Sequence, residues 1–452
     1  MKIHLIAIGG AVMHNMALAL HEKGYQISGS DDEIFEPSKS RLAAKGLLPD
    51  KWGWFPEKIT EKLDAVILGM HARANNPELL KAQKLGLKVY SFPEYLFEQS
   101  KNKTRVVIGG SHGKTTITSM IMHVLKKLDM DFDYMVGAKI TGFETMVKIT
   151  ENAPIAIFEG DEYLSSAIDK RPKFHLYKPH IALISGIAWD HINVFPTFEN
   201  YVEQFKIFAD LIDKNGSLVY FEKDDEILKI TENVKLDIKK LPYSEIENRV
   251  ENSKTSLLFG EKTYPIEVFG KHNMQNLAGA KLVCSELGIS DSEFYEAISS
   301  FSGAAKRLQL VDKNSKTNIY SDFAHSPSKL KATVEAVKQQ FSDRKLIACM
   351  ELHTFSSLTE QFLSFYKDSM QKADEAIVYF NPHTIEHKKL KQITKEQVAR
   401  AFGGDNIKIY TSSEKIKELL LSKNWDNKNL LLMSSGNFDG LDFVELSEAI
   451  LK

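Results

Sequence analysis

The stretch Val106-Val107-Ile108-Gly109-Gly110-Ser111-His112-Gly113-Lys114-Thr115-Thr116 decides how this chain folds. Three β-branched residues run into a glycine-bearing turn, and the turn leads into residues that open a helix, so the order is strand, tight loop, helix. Backbone N–H groups in such a loop, together with the positive end of the helix, surround phosphate oxygens. Gly110 and Gly113 permit the close backbone approach, Lys114 can neutralise the outer phosphates, and the Thr115 hydroxyl can ligate Mg²⁺. Ser111, His112 and Thr116 complete the expected nucleotide-binding segment. Ile108 stands where the longer, eight-residue form of this loop begins with glycine, which argues against an ordinary GTPase or nucleotide kinase.

In an open α/β sheet, residues just beyond the carboxyl ends of strands converge on the ligand crevice. Two further strands end in groups able to hold a metal. Ile155–Phe158 runs into Glu159-Gly160-Asp161-Glu162-Tyr163, and His180–Ser185 precedes Trp189-Asp190-His191. With Thr115, these segments are the candidate Mg²⁺ ligands. A solvated loop is the plain alternative for either acidic cluster taken alone.

Working outward, residues 1–101 alternate strand and helix: Ile3–Ile8, helix Asn15–Lys23 closed by Gly24, then Gln26–Gly29 and Ala65–Gly69. The polar run Gln99–Thr104 marks a boundary before a central domain, 102–303, whose later part from Gly216 to Val268 alternates as antiparallel strands do. After Phe301-Ser302-Gly303-Ala304-Ala305 the pattern restarts as a third unit, 304–452, with strands at Thr317–Ser321, Leu346–Met350, Glu375–Tyr379 and Leu430–Met433 and a helix at Lys329–Gln340. The fold class is α/β throughout. Fifty-eight basic residues nearly balance sixty acidic ones, so charge gives no reason to expect binding to nucleic acid or to an anionic membrane. Cys284 and Cys349 lie in apolar surroundings without metal-ligand spacing, as reduced core residues do. The first residues carry no charged leader and no run reaches the ~18–20 apolar residues of a membrane span, so the expected location is the cytoplasm.

Five further features, in this order, resemble the Mur ligases, which join amino acids or peptides to UDP-N-acetylmuramate-based precursors. Glu159-Gly160-Asp161-Glu162 and Asp190-His191 resemble their metal motifs. Gly270-Lys271-His272-Asn273-Met274-Gln275-Asn276 resembles the adenine-contacting segment, and Phe301-Ser302-Gly303 with Arg307 the hinge and its phosphate-contacting arginine. Ser321-Asp322-Phe323-Ala324-His325-Ser326-Pro327 resembles the ribose-side motif of the last domain. The similarity runs from Ile3 to Gly440.

That resemblance implies a three-domain architecture: a Rossmann-like UDP-sugar domain, a P-loop ATPase domain and a Rossmann-like domain that receives the amine, closing about Ser302-Gly303-Ala304. It implies ATP and Mg²⁺ as cofactors, and it singles out Thr115, Glu159 and His191 as the metal-holding set. Lys114, His191, Arg307 and His325 would serve catalysis, while His272, Asn273, Asn276, Asp322 and Arg307 would hold the nucleotide. Gly10, Ser30, Asp31 and His71 would contact the UDP-sugar. Asp161-Glu162-Tyr163, Asp169–Phe174 and Met433–Gly440 resemble the family's peptide-recycling branch, implying that the muramate carboxylate is joined through an acyl phosphate to L-Ala-γ-D-Glu-meso-diaminopimelate. The alternative within the family is addition of L-alanine. From other classes, a P-loop switch acting on a protein partner and a dinucleotide oxidoreductase using Ile8-Gly9-Gly10 are kept, the latter without a full glycine fingerprint.

The chain departs from the family pattern in several places. Ala7 and His14 stand where the first nucleotide loop usually has glycines, and Gly186 where an asparagine is common. Glu351-Leu352-His353-Thr354-Phe355-Ser356 replaces an arginine-containing segment of the amine-receiving domain. Lys206, fifteen positions after His191, occupies the offset at which some members carry a carbamoylated lysine; an exposed helix lysine is its alternative.

Overall fold

A computed structural model describes residues 1–189, 194–234, 237–403 and 407–452. The chain forms two compact units, Met1–Ser244 with Gly279–Phe294, and Glu245–Ala278 with Tyr295–Lys452.

The first unit opens with strands β1 (Lys2–Ile6), β2 (Gln26–Ser30), β3 (Ala65–Leu68) and β4 (Val89–Ser91), interleaved with helices α1 (Ala11–Glu22), α2 (Ser38–Ala44), α3 (Pro77–Lys84) and α4 (Phe92–Gln99). The sheet order is β2-β1-β3-β4, all parallel. Its apolar runs are continuous because both faces are covered. Ile3, Leu5, Ala65 and Ile67 face one cluster with Met16 and Leu20 of α1, while Ile6, Val66 and Leu68 face another with Leu79 and Ala82 of α3. That is the two-residue alternation of a strand.

The second sheet contains β5 (Thr104–Gly109), β6 (Phe132–Met135), β7 (Val147–Lys148), β8 (Ile155–Glu159), β9 (Ile181–Ile184), β10 (Ser217–Phe221) and β11 (Lys239–Tyr243). Its helices are α5 (Lys114–Lys127), α6 (Lys173–Leu176), α7 (Phe198–Asp210) and α8 (Asp225–Asn233). The order β11-β10-β9-β5-β8-β6-β7 puts β5 between β9 and β8, parallel to both. The loops that follow these three strands therefore leave the same edge of the sheet side by side.

The second unit holds the antiparallel strands β12 (Asn248–Glu251), β13 (Lys254–Phe259) and β14 (Lys262–Ile266), as the alternation predicted. Helices α9 (Lys271–Glu286) and α10 (Asp291–Ile298) follow in the chain, and of them Lys271–Ala278 and Tyr295–Ile298 belong to this unit. The last sheet has β15 (Gln309–Lys313), β16 (Asn318–Asp322), β17 (Lys345–Leu352), β18 (Glu375–Phe380), β19 (Ile407–Tyr410) and β20 (Lys428–Met433), ordered β15-β16-β20-β17-β18-β19. Only β15 pairs antiparallel. Helices α11 (Pro327–Gln340), α12 (Glu360–Leu363), α13 (Pro382–His387), α14 (Lys395–Phe402), α15 (Ser413–Leu421) and α16 (Phe443–Leu451) complete it.

Both cysteines are buried and free. Among the described residues no helix is long and apolar enough to cross a membrane. The polar run Gln99–Thr104 is not a free linker. Arg105, itself buried, donates from Nη1 to the carbonyls of Ser100 (3.1 Å) and Lys101 (3.1 Å) and from Nε to those of Tyr177 (3.0 Å) and Lys178 (2.9 Å). These bonds fasten the end of α4 to the second sheet, and polar composition alone did not reveal them.

Candidate active site

The phosphate loop leaves β5 at Gly109 and enters α5 at Lys114. Gly110 has φ +124°, and a Cβ there would collide with Ser185 at the end of β9, so the position requires glycine. Gly113 caps α5 in the left-handed conformation with φ +73°, and no side chain bonds to the first-turn N–H groups. A helix start of this kind can accept an anion. Neighbouring strand ends brace the loop: Ser111 N donates to the carbonyl of Gly186 (2.8 Å), and the Ser185 hydroxyl donates to that of His112. The Ser111 Oγ accepts from Ala188 N (2.9 Å) and lies 2.9 Å from the Tyr201 hydroxyl of α7. Thr116 is buried in the first turn of α5.

Lys114 Nζ donates to the Gly110 carbonyl at 2.7 Å and to Glu162 Oε2 at 2.6 Å. Glu162 is buried, and its other oxygen accepts from Tyr201 (3.1 Å). Burial alone would lower the Lys114 ammonium, but the charges of Glu162, Asp161 and Glu159 outweigh it and hold its pKa above the usual lysine value. Asp161 pairs with Lys173 of α6, and Lys173 and Lys114 keep its carboxyl below the ordinary range despite burial.

Thr115 Oγ1 donates to Glu159 Oε1 at 2.7 Å, and Gly137 N donates to Glu159 Oε2 at 2.8 Å. The structure thus joins two of the three predicted metal ligands. The third, His191, lies outside the described residues, and among those described no group of three or more His, Cys, Asp or Glu is arranged to hold a metal. The oxygen donors fit magnesium nonetheless: it prefers one or two protein oxygens plus substrate phosphates and water, and the carboxylates of Glu159, Asp161 and Glu162 outnumber the ammonium groups of Lys114 and Lys173 by one.

Lys206 is not brought into this group. It is exposed on α7, 3.4 Å from Glu203, whereas the inward face of that helix carries Tyr201, Phe205 and Phe208. Its surroundings match the exposed-lysine alternative.

In the first domain a cleft of about 680 Å³ is lined by Gly10, Asp31 and His71, three of the four predicted UDP-sugar residues. Burial pushes the Asp31 carboxyl up to about 6 against the opposing bond from Gly9 N (2.7 Å). Ser30, the fourth, is fully buried and does not line the cleft, and its hydroxyl meets Lys58 Nζ at 3.4 Å.

The second unit carries the remaining predicted residues. His272, Asn273 and Asn276 lie in the first turns of α9. Asn273 bonds back to the Phe269 carbonyl (2.8 Å), and burial lowers the His272 imidazole to about 4, keeping it neutral. Asp322, at the end of β16, accepts from Leu308 N (2.5 Å) and Ala324 N (2.6 Å). Burial raises its carboxyl, and Arg307 is the leading opposing charge. Arg307 stacks on Phe323 with its guanidinium carbon 4.5 Å from the ring centroid. His325 Nδ1 is 2.9 Å from the Phe323 carbonyl, so Arg307, Asp322 and His325 share one loop system. Glu351 joins the two unusual segments of this unit, accepting from Phe438 N (2.8 Å) and from the Ser434 hydroxyl.

Lys173, Tyr201 and Glu162 were not predicted as site residues. Glu162 adjoins a recognised acidic motif; Lys173 and Tyr201 come from helices whose sequence announces only partial burial.

Comparison with known proteins places the whole chain in one family. Family models described as Mur ligase family, catalytic domain, Mur ligase middle domain, and Mur ligase, glutamate ligase domain match residues 2–104, 108–284 and 306–436. The UDP-N-acetylmuramate–L-alanine ligase of Caldicellulosiruptor bescii is 32% identical over 83% of this chain and 83% of its own length. That of Carboxydothermus hydrogenoformans is 28% identical over 99% and 97%. Among solved structures, the murein peptide ligase of Psychrobacter arcticus (TM-score 0.64, 21% identity) and the UDP-N-acetylmuramate–alanine ligase of Thermotoga maritima (TM-score 0.69, 19% identity) each cover 100% of this chain and 98% of their own, and share its fold. The chain belongs to the Mur ligase family of ATP-dependent carbon–nitrogen ligases.

Proposed function

We propose that the protein activates the carboxylate of UDP-N-acetylmuramate with ATP and joins it to an amine. The observation that carries this is the Thr115 hydroxyl 2.7 Å from Glu159, beside Lys114 held 2.6 Å from Glu162: a phosphate cradle with a stored cation and a metal-type oxygen pair. The muramate oxygen attacks the γ-phosphorus, the bond to ADP breaks, and Lys114 follows the charge onto the transferring oxygens. The amine nitrogen then adds to the acyl carbon, loses a proton, and phosphate departs. No side-chain nucleophile is needed; positioning and charge stabilisation suffice. Magnesium, held by Thr115 and Glu159 with His191, would neutralise phosphate charge. The first domain, 1–101, would take the UDP-sugar at Gly10, Asp31 and His71. His272, Asn273, Asn276, Arg307 and Asp322 would bind the nucleotide and His325 would lie by the reacting groups, with 102–303 and 304–452 as the ATP and amine domains.

The names of the relatives support L-alanine as the amine. A peptide amine rests only on the resemblance of Asp161–Tyr163, Asp169–Phe174 and Met433–Gly440 to the peptide-recycling branch. Phosphate release with UDP-N-acetylmuramate, ATP and a panel of amines, followed by product mass, tests both. Turnover with L-alanine alone supports the first, turnover with the tripeptide the second, and ATP hydrolysis indifferent to the sugar nucleotide would overturn the ligase assignment in favour of a switch.

A further inference from the structure

The departure at residue 14 has a partner in space. His14 and Asn15 are buried in the first turn of α1, and both meet Arg41 of α2. Arg41 Nη1 lies 3.2 Å from His14 Nε2 and 2.9 Å from Asn15 Oδ1. A guanidinium only donates, so Nε2 must accept and the ring proton sits on Nδ1, which is 3.0 Å from the Gly10 carbonyl and 2.9 Å from Ser38 Oγ. Burial lowers the His14 pKa and the Arg41 charge adds to it, in keeping with a neutral acceptor. The cluster then reaches beyond the first domain. Arg41 Nη2 donates to the carbonyl of Glu144 (3.3 Å), and Asn15 Oδ1 also accepts from Met146 N (3.0 Å). His14, Asn15, Arg41, Glu144 and Met146 all line the cleft that holds Gly10 and Asp31, and Lys139, earlier on the same chain segment, lines it too.

We propose that His14, Asn15 and Arg41 act as a staple that holds the 144–146 segment against the first nucleotide loop and so shapes the cleft for an anionic nucleoside diphosphate group. Arg41 is a positioning residue in this scheme. It rests on the assignment of the cleft to the UDP part of the substrate. One guanidinium spans three acceptors on two chain segments, α1 and the stretch at Glu144, which the compact ammonium of lysine cannot do. The side chain at 14 supplies one of those acceptors.

The test compares Arg41→Ala, Arg41→Lys and Asn15→Ala with the unmodified protein by initial-rate kinetics and by amide hydrogen exchange at Met146 in the ligand-free chain. Arg41→Ala and Arg41→Lys are expected to raise KM for UDP-N-acetylmuramate at least tenfold while KM for ATP and kcat stay within threefold, and all three variants to speed Met146 exchange. Where Arg41→Ala does not fold, Asn15→Ala, which keeps the guanidinium, reads the same quantities. A folded Arg41→Lys protein with unchanged KM for the sugar nucleotide, or unchanged Met146 exchange in Asn15→Ala, overturns the staple. If the unmodified protein neither turns over the sugar nucleotide nor binds UDP, the functional assignment fails instead, and the exchange result still decides whether the staple exists.

Discussion

Lys114 has two acceptors in the ligand-free chain, and only one of them, Glu162, carries charge. Removing the lysine therefore does two separable things. Lys114→Ala is expected to cut turnover at least ~10²-fold, the scale of losing a charge-stabilising donor. It also takes the paired cation from a buried carboxylate, which costs about 3–5 kcal/mol. The double variant Lys114→Ala/Glu162→Gln should regain most of that stability in urea unfolding and none of the turnover; recovery of turnover would deny Lys114 its role. His272 gives a pH prediction. Its folded pKa, near 4, lies below the unfolded value near 6.5, so its stabilising contribution is complete above about 6.5 and is lost as pH falls toward 4. The stability advantage of the native protein over His272→Gln should shrink by up to about 1.4 kcal/mol per pH unit across that window; a constant difference between pH 7 and pH 5 would refute the shift. Much of the site was legible at this scale. Thr115 and Glu159 were paired in advance because each sits where a strand end must meet a phosphate loop. Which way Ser30 faces was not legible, because a strand's last residue points to one face or the other and motif order does not say which; it is buried, with its hydroxyl toward Lys58.

Among the elements, α7 links the acidic loop to the phosphate loop. Tyr201 is fully buried, and its hydroxyl lies 3.1 Å from Glu162 and 2.9 Å from Ser111. Tyr201→Phe keeps the ring packing against Phe195 and Phe205 and deletes the hydroxyl with those bonds. A hydrogen bond to a charged group contributes about 1.5–3 kcal/mol, so KM for ATP should rise about tenfold or more while KM for the sugar nucleotide is unchanged. Equal changes in both would mean that the variant disturbs packing rather than the loop. Periodicity revealed these elements well: the strands beginning at Ile3, Ala65, Arg105, Ile155, Thr317, Leu346 and Leu430 were all foreseen within a residue or two, because parallel strands covered on both faces read as unbroken apolar runs. Strand order was beyond reach. That β5 lies between β9 and β8, which lets their three loops share an edge, depends on pairings far apart in sequence.

For the whole molecule, the boundary after residue 101 carries the clearest consequence. Lys101 and Lys103 sit in a polar run that composition marks as a linker, and a linker is where a protease enters a native protein. Here the Ser100 and Lys101 carbonyls are held by Arg105, Lys103 Nζ is paired with Asp133, and the Arg105 guanidinium carbon lies 5.1 Å from the Phe97 ring centroid. Cleavage needs several residues to leave their bonds together and adapt to the protease, so opening this stretch means undoing the packing of the first domain on the second sheet. Limited trypsinolysis of the native chain should therefore spare residues 99–105 under conditions that cut exposed lysines elsewhere. Arg105→Ala frees five carbonyl acceptors at once, and with bonds from a charged donor contributing about 1.5–3 kcal/mol each before compensation by water, even partial loss should make cleavage after Lys101 or Lys103 at least tenfold faster. Mass analysis of the fragments decides it: early cleavage at these sites in the unmodified protein would show that the first domain is tethered rather than docked.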